Sequence, residues 1–242
     1  TGVAEGTVGV ERIIKMLNVY NDQLVVDVKG IYSIEKFLIS RRLMYWQVYL
    51  HKTVVSAEFL LINVLKRAKE LTAAGTRVFA TPTLNIFMRR SFTSINFHEN
   101  ILVEGKNILN WYSLHDDSDI LVSIKEWQNH PDLVLSSLAK SLINRELFKA
   151  TLQTKPIPKL LREKILKKIT QQITNDKSLS EYFIMTGEIT NSAYNRHNEN
   201  IMVLNKNGKL KDIRQASDID LSVFTKKVRK YYLCYPKELV IN

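Results

Sequence analysis

Residues 32–71 read YSIEKFLISRRLMYWQVYLHKTVVSAEFLLINVLKRAKEL, and this stretch decides the fold class of the chain. Apolar residues such as Ile34, Leu38 and Leu65 recur at steps of three and four, which is typical of the buried face of an amphipathic helix. A single helix of about 40 residues is long for a globular protein, so the pattern predicts a kink or a break within it. Residues 72–76, TAAGT, end the helical pattern.

Strand signals lie on both sides of this helical stretch. Upstream, Asn21 and Asp22 predict a turn, and residues 23–28, which are rich in β-branched valine, predict a strand. Near the end of the chain, residues 201–213 predict a hairpin around Asn207-Gly208, because Asn-Gly suits a type I′ turn. The aromatic residues within 226–235 predict a further strand. The fold class is therefore α+β, with helix in the majority.

The middle of the chain alternates helices with breakers. Pro82 and Gly105 predict irregular structure over residues 76–112. Residues 117–119, DSD, predict a capped helix start, and His130-Pro131 predicts the end of that helix. A further helix is expected from Asp132 to about Ala150. Residues 159–174 predict a basic amphipathic helix, with its apolar residues, including Leu160 and Leu161, turned inward.

Composition narrows the function classes. One cysteine, Cys234, excludes an internal disulfide and a cysteine-based zinc site, so we predict a reducing, cytoplasmic environment and a buried structural thiol. No apolar run approaches the length of a membrane span. The first residue is not Met and no signal peptide precedes the helices, so we expect the chain to begin inside a longer gene product or to have been processed. The net charge of +11 favours polyanionic partners, although a basic solvated surface is equally compatible with it.

The stretch that runs from Arg41 to Lys52, RRLMYWQVYLHK, combines cations, aromatic residues and a histidine. Guanidinium groups donate paired hydrogen bonds to phosphate oxygens, and a tyrosine ring packs on a sugar or a base. These residue types therefore suit a nucleoside triphosphate. The alternative from the chemistry alone is that Tyr45, Trp46 and Tyr49 belong to the core and that the cations are solvated.

This stretch resembles the HD-domain deoxynucleoside triphosphate triphosphohydrolases, the family of the SAM-and-HD-domain enzyme and its bacterial relatives. That family carries an Arg, seven further residues, then Tyr-x-His-Lys on a long helix that lines the nucleotide pocket, and Arg41 followed by Tyr49-Leu50-His51-Lys52 matches it. The resemblance implies that Arg41 contacts substrate phosphate and that Tyr49 packs on the deoxyribose or base.

A second match, RELFK, runs from Arg145 to Lys149. In the family, the Arg and Lys of this segment reach an activating nucleotide at a subunit interface, and Lys29, His51 and Lys52 resemble further regulatory positions. We expect Arg145 and Lys149 to share one helix face, because they are four residues apart. A solvated helix face is the alternative, and Asp27 stands where a second basic residue is expected before Lys29.

The family hydrolyses dNTPs to deoxynucleoside and triphosphate with a divalent metal held by a His…His-Asp…Asp cluster. Residues 1–6, TGVAEG, resemble the segment after the last of those ligands, so the resemblance implies that the ligands lie upstream of Thr1. This chain alone is then not expected to be a complete enzyme. The dipeptide His115-Asp116 precedes a helix start and reads as a cap, and His98, Asp218 and Asp220 are not expected to rebuild a metal site with it.

The predicted organisation has three parts: residues 1–75 as the remainder of an all-α HD domain with the nucleotide-pocket helix, residues 76–154 as a helical linker for oligomerisation and regulation, and residues 155–242 as a small α/β lobe with a hairpin. The first functional hypothesis is the substrate-binding and oligomer-forming part of a dNTP phosphohydrolase. The alternatives are a noncatalytic module that binds single-stranded nucleic acid through residues 159–174 and 226–230, and a purely structural assembly role.

Overall fold

The computed structural model describes residues 3–191, 200–221 and 228–239. Helices dominate, as predicted. The α-helices are α1 (Val10–Lys15), α2 (Ile31–Met44), α3 (Lys52–Ala73), α4 (Pro82–Arg89), α5 (Ser94–His98), α6 (Ile108–Leu114), α7 (Asp117–Trp127), α8 (Leu133–Ile143), α9 (Lys159–Ile169), α10 (Lys177–Ser180) and α11 (Ile213–Ala216). The strands are β1 (Leu17–Tyr20), β2 (Gln23–Asp27), β3 (Leu102–Val103), β4 (Lys106–Asn107), β5 (Lys149–Gln153), β6 (Met185–Asn191), β7 (Met202–Leu204), β8 (Leu210–Asp212) and β9 (Val228–Tyr235).

The chain packs as two compact units. The first comprises Thr1–Val54, Leu152–Pro156 and Gly187–Tyr231, and the second comprises Val55–Thr151, Ile157–Thr186 and Tyr232–Asn242. The three-part division predicted from the sequence stays a prediction.

A four-stranded sheet and α2 form the first unit. The strand order is β1-β2-β7-β8, with β2 and β7 parallel and the outer pairs antiparallel. The predicted turn at Asn21 and Asp22 is confirmed: both residues adopt positive φ, and the turn joins β2 to β1, a strand that was not predicted. The predicted hairpin is also present, with Gly208, φ 76°, in the turn between β7 and β8. The core of this unit is apolar and consists of Val26, Ile31, Ile34, Leu38, Val203, Ile213 and Leu221.

Helix packing dominates the second unit. Its most deeply buried side chains include Phe59 and Val64 of α3, Ile124 and Trp127 of α7, and Leu138 of α8. A second apolar cluster joins Ile86, Val103 and Ile108 to the surrounding aromatic rings. The pair β3-β4 lies in this unit, and the described residues form a further sheet of three strands in the order β5-β9-β6.

The predicted break in the long helical stretch is confirmed. Helix α2 continues as a π-helical segment, Tyr45–Tyr49, and regular helix resumes as α3 after Leu50 and His51. Leu50 leaves the helical region with φ −107° and ψ 19°. Among the described residues, no single helix has both the length and the apolar composition to cross a membrane. Residues Val28–Tyr49 and Lys52–Ala73 reach that length and composition only when they are taken together as one bent pair of helices.

The prediction of irregular structure over residues 76–112 is wrong. Three short helices and the β3-β4 pair occupy this region. Pro82 starts a helix here because Thr81 accepts a hydrogen bond from the Leu84 amide and proline suits the first helical turn. At the start of α5 the Thr93 amide donates to the Asn96 side chain at 2.7 Å, and at the start of α6 the Asn107 side chain accepts from the Leu109 amide at 2.8 Å. Polar side chains that cap helix starts therefore allowed short helices to form in this region despite Pro82 and Gly105.

The inward placement of Leu160 is also wrong. Helix α9 and a π-helical segment, Thr170–Thr174, confirm the predicted helical stretch, and Ile165, Leu166 and Ile169 are buried. Leu160 and Leu161, however, are 78% and 36% exposed, so the inward placement of Leu161 is wrong as well. Both lie in the first turn, where a helix that begins at the surface has not yet reached the core.

Candidate functional site

Arg41, Tyr45 and Tyr49 form a ladder on the C-terminal half of α2 and its π-helical continuation. The guanidinium carbon of Arg41 lies 6.0 Å from the centre of the Tyr45 ring. The rings of Tyr45 and Tyr49 meet edge to face, with centroids 5.4 Å apart and planes at 65°. We call these three residues the α2 ladder. The two residues singled out from the sequence are thus linked through a third, Tyr45, that lies between them.

Both ends of the α2 ladder are accessible. Tyr49 is 53% exposed and Arg41 is half-buried, so the two side chains do not separate into one buried and one solvated group. Among the described residues, no carboxylate forms an ion pair with Arg41. The ladder therefore presents an aromatic face and a guanidinium that no described carboxylate pairs, both on one surface. This combination suits a phosphorylated aromatic ligand.

A π-helical turn carries the two tyrosines. The Leu50 amide donates to the Tyr45 carbonyl at 2.7 Å, which is the wider hydrogen-bond step of a π-helix. Such turns are rare and occur often at functional sites, because they rotate side chains out of the ordinary helical positions. Beyond the turn, the His51 Nδ1 accepts from the Thr53 amide at 3.3 Å, which ties His51 to the first turn of α3.

Two contacts beside the α2 ladder were not predicted from the sequence, in which Lys230 was assigned only to a cluster for nucleic-acid binding. The Lys230 ammonium on β9 lies 4.1 Å from the centre of the Trp46 ring, close enough for a cation–π contact. Gly6 packs so tightly on α2 that a Cβ there would stand 2.6 Å from the sulfur of Met44. Trp46 was singled out, but no local spacing connects it with a residue near the end of the chain.

The remaining regulatory candidates are spread over several elements. Lys29 is exposed in the 3-10 turn Val28–Gly30, where its amide donates to Asp27 Oδ1 at 2.9 Å. His51 and Lys52 are exposed at the start of α3. Asp27, the departure from the family pattern, has a structural task as the cap of this turn. The nucleotide-binding roles of Lys29, His51 and Lys52 stay predictions.

The prediction that Arg145 and Lys149 share a helix face is wrong. Helix α8 ends at Ile143, and Arg145 has φ 59° in the left-handed region, which ends the helix. Lys149 begins β5, and its ammonium lies 5.8 Å from the Tyr235 ring centre. Because the segment between them is not helical, the four-residue spacing no longer places the two side chains together. Whether they bind a regulatory nucleotide stays a prediction.

The dipeptide His115-Asp116 is a helix cap, as predicted. Asp116 accepts from the amides of Ser118 and Asp119 and forms a capping box with Asp119 at the start of α7. The Asp119 carboxylate also lies 3.2 Å from His115 Nδ1. Burial raises the pKa of Asp119, but hydrogen bonds from Thr81, Thr83, the Asp116 amide and His115 outweigh it and lower this pKa to about 2.

The described residues do not fit the metal that the resemblance implies. They contain no group of three or more His, Cys, Asp or Glu side chains placed to hold an ion. Asp218 instead accepts a hydrogen bond from the Tyr32 hydroxyl at 3.2 Å. Cys234 is buried, and burial raises the pKa of its thiol to about 12, so it is a structural side chain, as predicted. No step through a metal follows from these residues.

Comparisons with known proteins agree with part of the resemblance. Residues 8–91 match the sequence model of a family described as the HD associated region. A phosphohydrolase of Bacteroides thetaiotaomicron superposes with a TM-score of 0.88 at 45% identity, over 97% of this chain and 57% of that protein. The similarity to HD-type phosphohydrolases is therefore supported at this coarser level.

Two further relatives have no stated activity. The uncharacterized protein YwfO of Bacillus subtilis strain 168 is 30% identical over all of this chain and 53% of its own length. A hypothetical protein from Aquifex aeolicus shares the fold, with a TM-score of 0.59 at 23% identity over 98% of this chain and 51% of that protein. The chain thus spans about half the length of the relatives it matches.

Proposed function

We propose that this chain is the substrate-binding and assembly part of a metal-dependent HD-type phosphohydrolase that converts deoxynucleoside triphosphates to deoxynucleoside and triphosphate. The observation that carries the proposal is the α2 ladder. One helical face holds Arg41, with no carboxylate pairing it among the described residues, in register with Tyr45 and an accessible Tyr49. The similarity to a phosphohydrolase supports the reaction class, and the ladder supports the nucleotide.

In this proposal each residue of the ladder has a separate task. Arg41 binds phosphate oxygens through its planar fork of donors and neutralises the negative charge that develops during phosphorus–oxygen cleavage. Tyr49 packs on the sugar or base, and Tyr45 holds both side chains in place through its ring contacts. The metal would supply the activated water, and its ligands would belong to residues other than those described here.

The position of the 3-10 turn Ala4–Gly6 supports this arrangement. Its Gly6 packs against Met44, immediately before Tyr45. By the resemblance, this turn follows the last metal ligand of the family. A metal held close to this turn would adjoin the α2 ladder and would activate water for attack on the α-phosphorus, the atom at which triphosphate release breaks the bond.

The test is hydrolysis by the full-length protein with a divalent metal, followed as triphosphate release from dNTPs. We expect Arg41→Gln to reduce kcat/KM by roughly 10²–10³-fold, the usual cost of removing one donor to a developing negative charge. Lys36→Gln is the matched control, because Lys36 is an exposed cation on the same helix outside the ladder. Equal effects of the two substitutions, or no triphosphate release at all, would refute the proposal.

Assembly into a homo-oligomer is the second part of the proposal. Large apolar side chains stand exposed in the second unit, and they include Ile95 at 61%, Leu102 at 70% and Tyr112 at 60%. Clusters of exposed apolar residues are typical of protein–protein interfaces. Sedimentation of the full-length protein, with and without nucleotide, tests this part and also the proposed nucleotide-dependent regulation. A single monomeric species under both conditions would contradict both.

A second candidate function is binding of single-stranded nucleic acid without catalysis. Exposed Lys159, Lys164 and Lys167 lie on α9 beside the exposed Leu160, which favours it. The other predicted cluster supports it less. Arg229 pairs with Glu188 at 3.4 Å, Lys230 lies over Trp46, and Lys226 and Lys227 fall outside the described residues. Affinity that falls steeply with salt and ignores competing dNTP would favour this candidate.

A further inference from the structure

The end of α3 and helix α4 enclose a polar cleft of about 440 Å³ in the second unit. We call it the α3–α4 cleft. Its polar lining comes from Thr72, Thr76, Arg77, Asn85 and Arg89. None of the described residues that line it is acidic. The Thr72 hydroxyl already donates to the Ala68 carbonyl at 2.8 Å. The lining therefore offers two guanidinium groups, the Thr76 hydroxyl and the Asn85 amide, which together favour a ligand rich in hydrogen-bond acceptors and negative charge.

The negative ends of the helix dipoles do not neutralise the positive charge of both arginines. Each helix C-terminus carries about half a negative charge, and both α3 and α4 end at the cleft, so they offset about one of the two positive charges. The last carbonyls of α3 also have partners already. Gly75, with φ 83°, donates to the Thr72 carbonyl at 3.1 Å, and Thr76 donates to the Leu71 carbonyl at 2.9 Å. A net positive charge of about one remains in the cleft.

The carboxylates of the described residues do not neutralise this charge. Within the part of the chain that the structure describes, neither Arg77 nor Arg89 forms an ion pair. Glu70, one turn before the end of α3, is engaged elsewhere: it accepts a hydrogen bond from the Tyr182 hydroxyl and lies 3.8 Å from Arg67. Lys69 adds a further cation near the cleft, because its ammonium donates to the Arg90 carbonyl at 3.1 Å.

The backbone that carries the two arginines is held in place. The carbonyl of Arg77 accepts from His130 Nε2 at 3.3 Å, and the carbonyl of Phe79 accepts from Trp127 Nε1 at 2.7 Å. Downstream, Thr81 caps α4, on which Asn85 and Arg89 lie. A ligand would therefore have to order only the side chains of the cleft, which lowers the entropic cost of binding.

We propose that the α3–α4 cleft binds an oligophosphate, either free or as the phosphate tail of a nucleotide. Two guanidinium groups on separate elements can bind successive phosphate groups of one ligand, whereas a ligand with a single carboxylate would engage only one of them. Guanidinium binds phosphate in a bidentate manner. A volume of about 440 Å³ lies within the range of small-ligand pockets. This inference does not depend on the proposed function of the α2 ladder.

Titration calorimetry of the chain tests the proposal with inorganic triphosphate, pyrophosphate, a dNTP and the matching deoxynucleoside at fixed ionic strength. Arg77→Gln and Arg89→Gln should each weaken triphosphate binding about tenfold or more, because each removes charge-assisted hydrogen bonds. Arg90→Gln is the matched control: it removes an equal charge from the neighbouring exposed residue, which does not line the cleft. We expect its effect to stay below about twofold, and the deoxynucleoside should not bind.

The outcomes separate the proposal from its alternatives. Parallel losses for triphosphate and dNTP support the tail of a nucleotide, whereas a loss confined to triphosphate supports a free oligophosphate. An equal loss in Arg90→Gln would indicate diffuse charge and overturn the proposal. Loss in Arg41→Gln without loss in the cleft variants would assign the binding to the α2 ladder and overturn it as well. Absence of binding by triphosphate and dNTP would also overturn it.

Discussion

On the α2 ladder, Arg41, Tyr45 and Tyr49 come from one helix and its continuation, whereas in the α3–α4 cleft Arg77 and Arg89 come from a connecting segment and a separate helix. Both surfaces expose arginine that no described carboxylate pairs. Four-residue spacing is enough to align the ladder, so it is visible as a motif. The cleft depends on residues distant in sequence that hold the end of α3 and helix α4 together, so no sequence motif predicts it.

The two surfaces also rest on different kinds of support. Helix α2 begins directly after Gly30, where the backbone passes close to Met16 and Val26, and its inward face is apolar. The elements around the cleft are held by carboxylates: Asp132 pairs with Arg67 of α3, and Asp119 receives hydrogen bonds from Thr81 and Thr83 at the start of α4. Close packing therefore supports the ladder, and hydrogen-bonded carboxylates support the cleft.

The largest expected effect tests the carboxylate support. Asp132 accepts from Arg67 Nε at 3.1 Å and from Arg67 Nη2 at 2.6 Å, and it caps α8 through the Leu135 amide at 2.8 Å. Asp132→Ala removes a mostly buried ion pair and a cap together. We expect the free energy of unfolding to fall by about 3–4 kcal/mol, measured by urea denaturation.

The matched control for this substitution is Asp117→Ala. Asp117 is an exposed carboxylate in the first turn of α7. Its removal should change the free energy of unfolding by no more than about 0.5 kcal/mol. If Asp132→Ala costs as little as this control, the ion pair with Arg67 does not support the second unit, and the contrast between the two surfaces fails.

The next effect tests the packing support of the ladder. A Cβ on Gly30 would stand 2.7 Å from the Met16 Cβ and 2.8 Å from Val26 Cγ1, both short side-chain atoms that cannot swing away. Gly30→Ala should therefore lower the free energy of unfolding by about 2 kcal/mol through overpacking. The comparison is Gly9→Ala, since Gly9 also precedes a helix but has no heavy atom within 4 Å of the added Cβ. Equal costs would show that the start of α2 tolerates extra volume.

The smallest expected effect is a pH dependence of the free energy of unfolding that comes from Asp119. The pKa of Asp119 in the folded state is about 2, below the roughly 3.9 of an unfolded chain, so its stabilisation is present above pH 4 or so and is lost as the pH falls toward about 2. At pH near 6, Asp119→Asn should lower the free energy of unfolding by about 1 kcal/mol, less than the full shift in pKa corresponds to, because the Asn oxygen still accepts hydrogen bonds. Thermal unfolding over a pH series should show this difference shrinking in acid. A difference that stays constant with pH would contradict the assigned cause.

Local chemistry alone determined most of the helices and strands of this protein. Apolar periodicity predicted the long helical stretch and its break, and Asn-Gly and Asn-Asp predicted two turns, because these signals act within a few residues. The same locality made Arg41 and Tyr49 visible, since one helix carries both. Where local signals competed, as with Pro82 against its Thr81 cap, the prediction failed.

Only the tertiary structure decided which distant residues meet. It brought Lys230 to Trp46, put Arg77 and Arg89 in one cleft, and brought Thr81 and Thr83 to the carboxylate of Asp119. The four-residue spacing of Arg145 and Lys149 had suggested one shared helix face. In the structure Arg145 ends a helix and Lys149 begins a strand. The physical reason is that such contacts depend on how whole elements pack, and packing energy is summed over many residues with no signature at either partner.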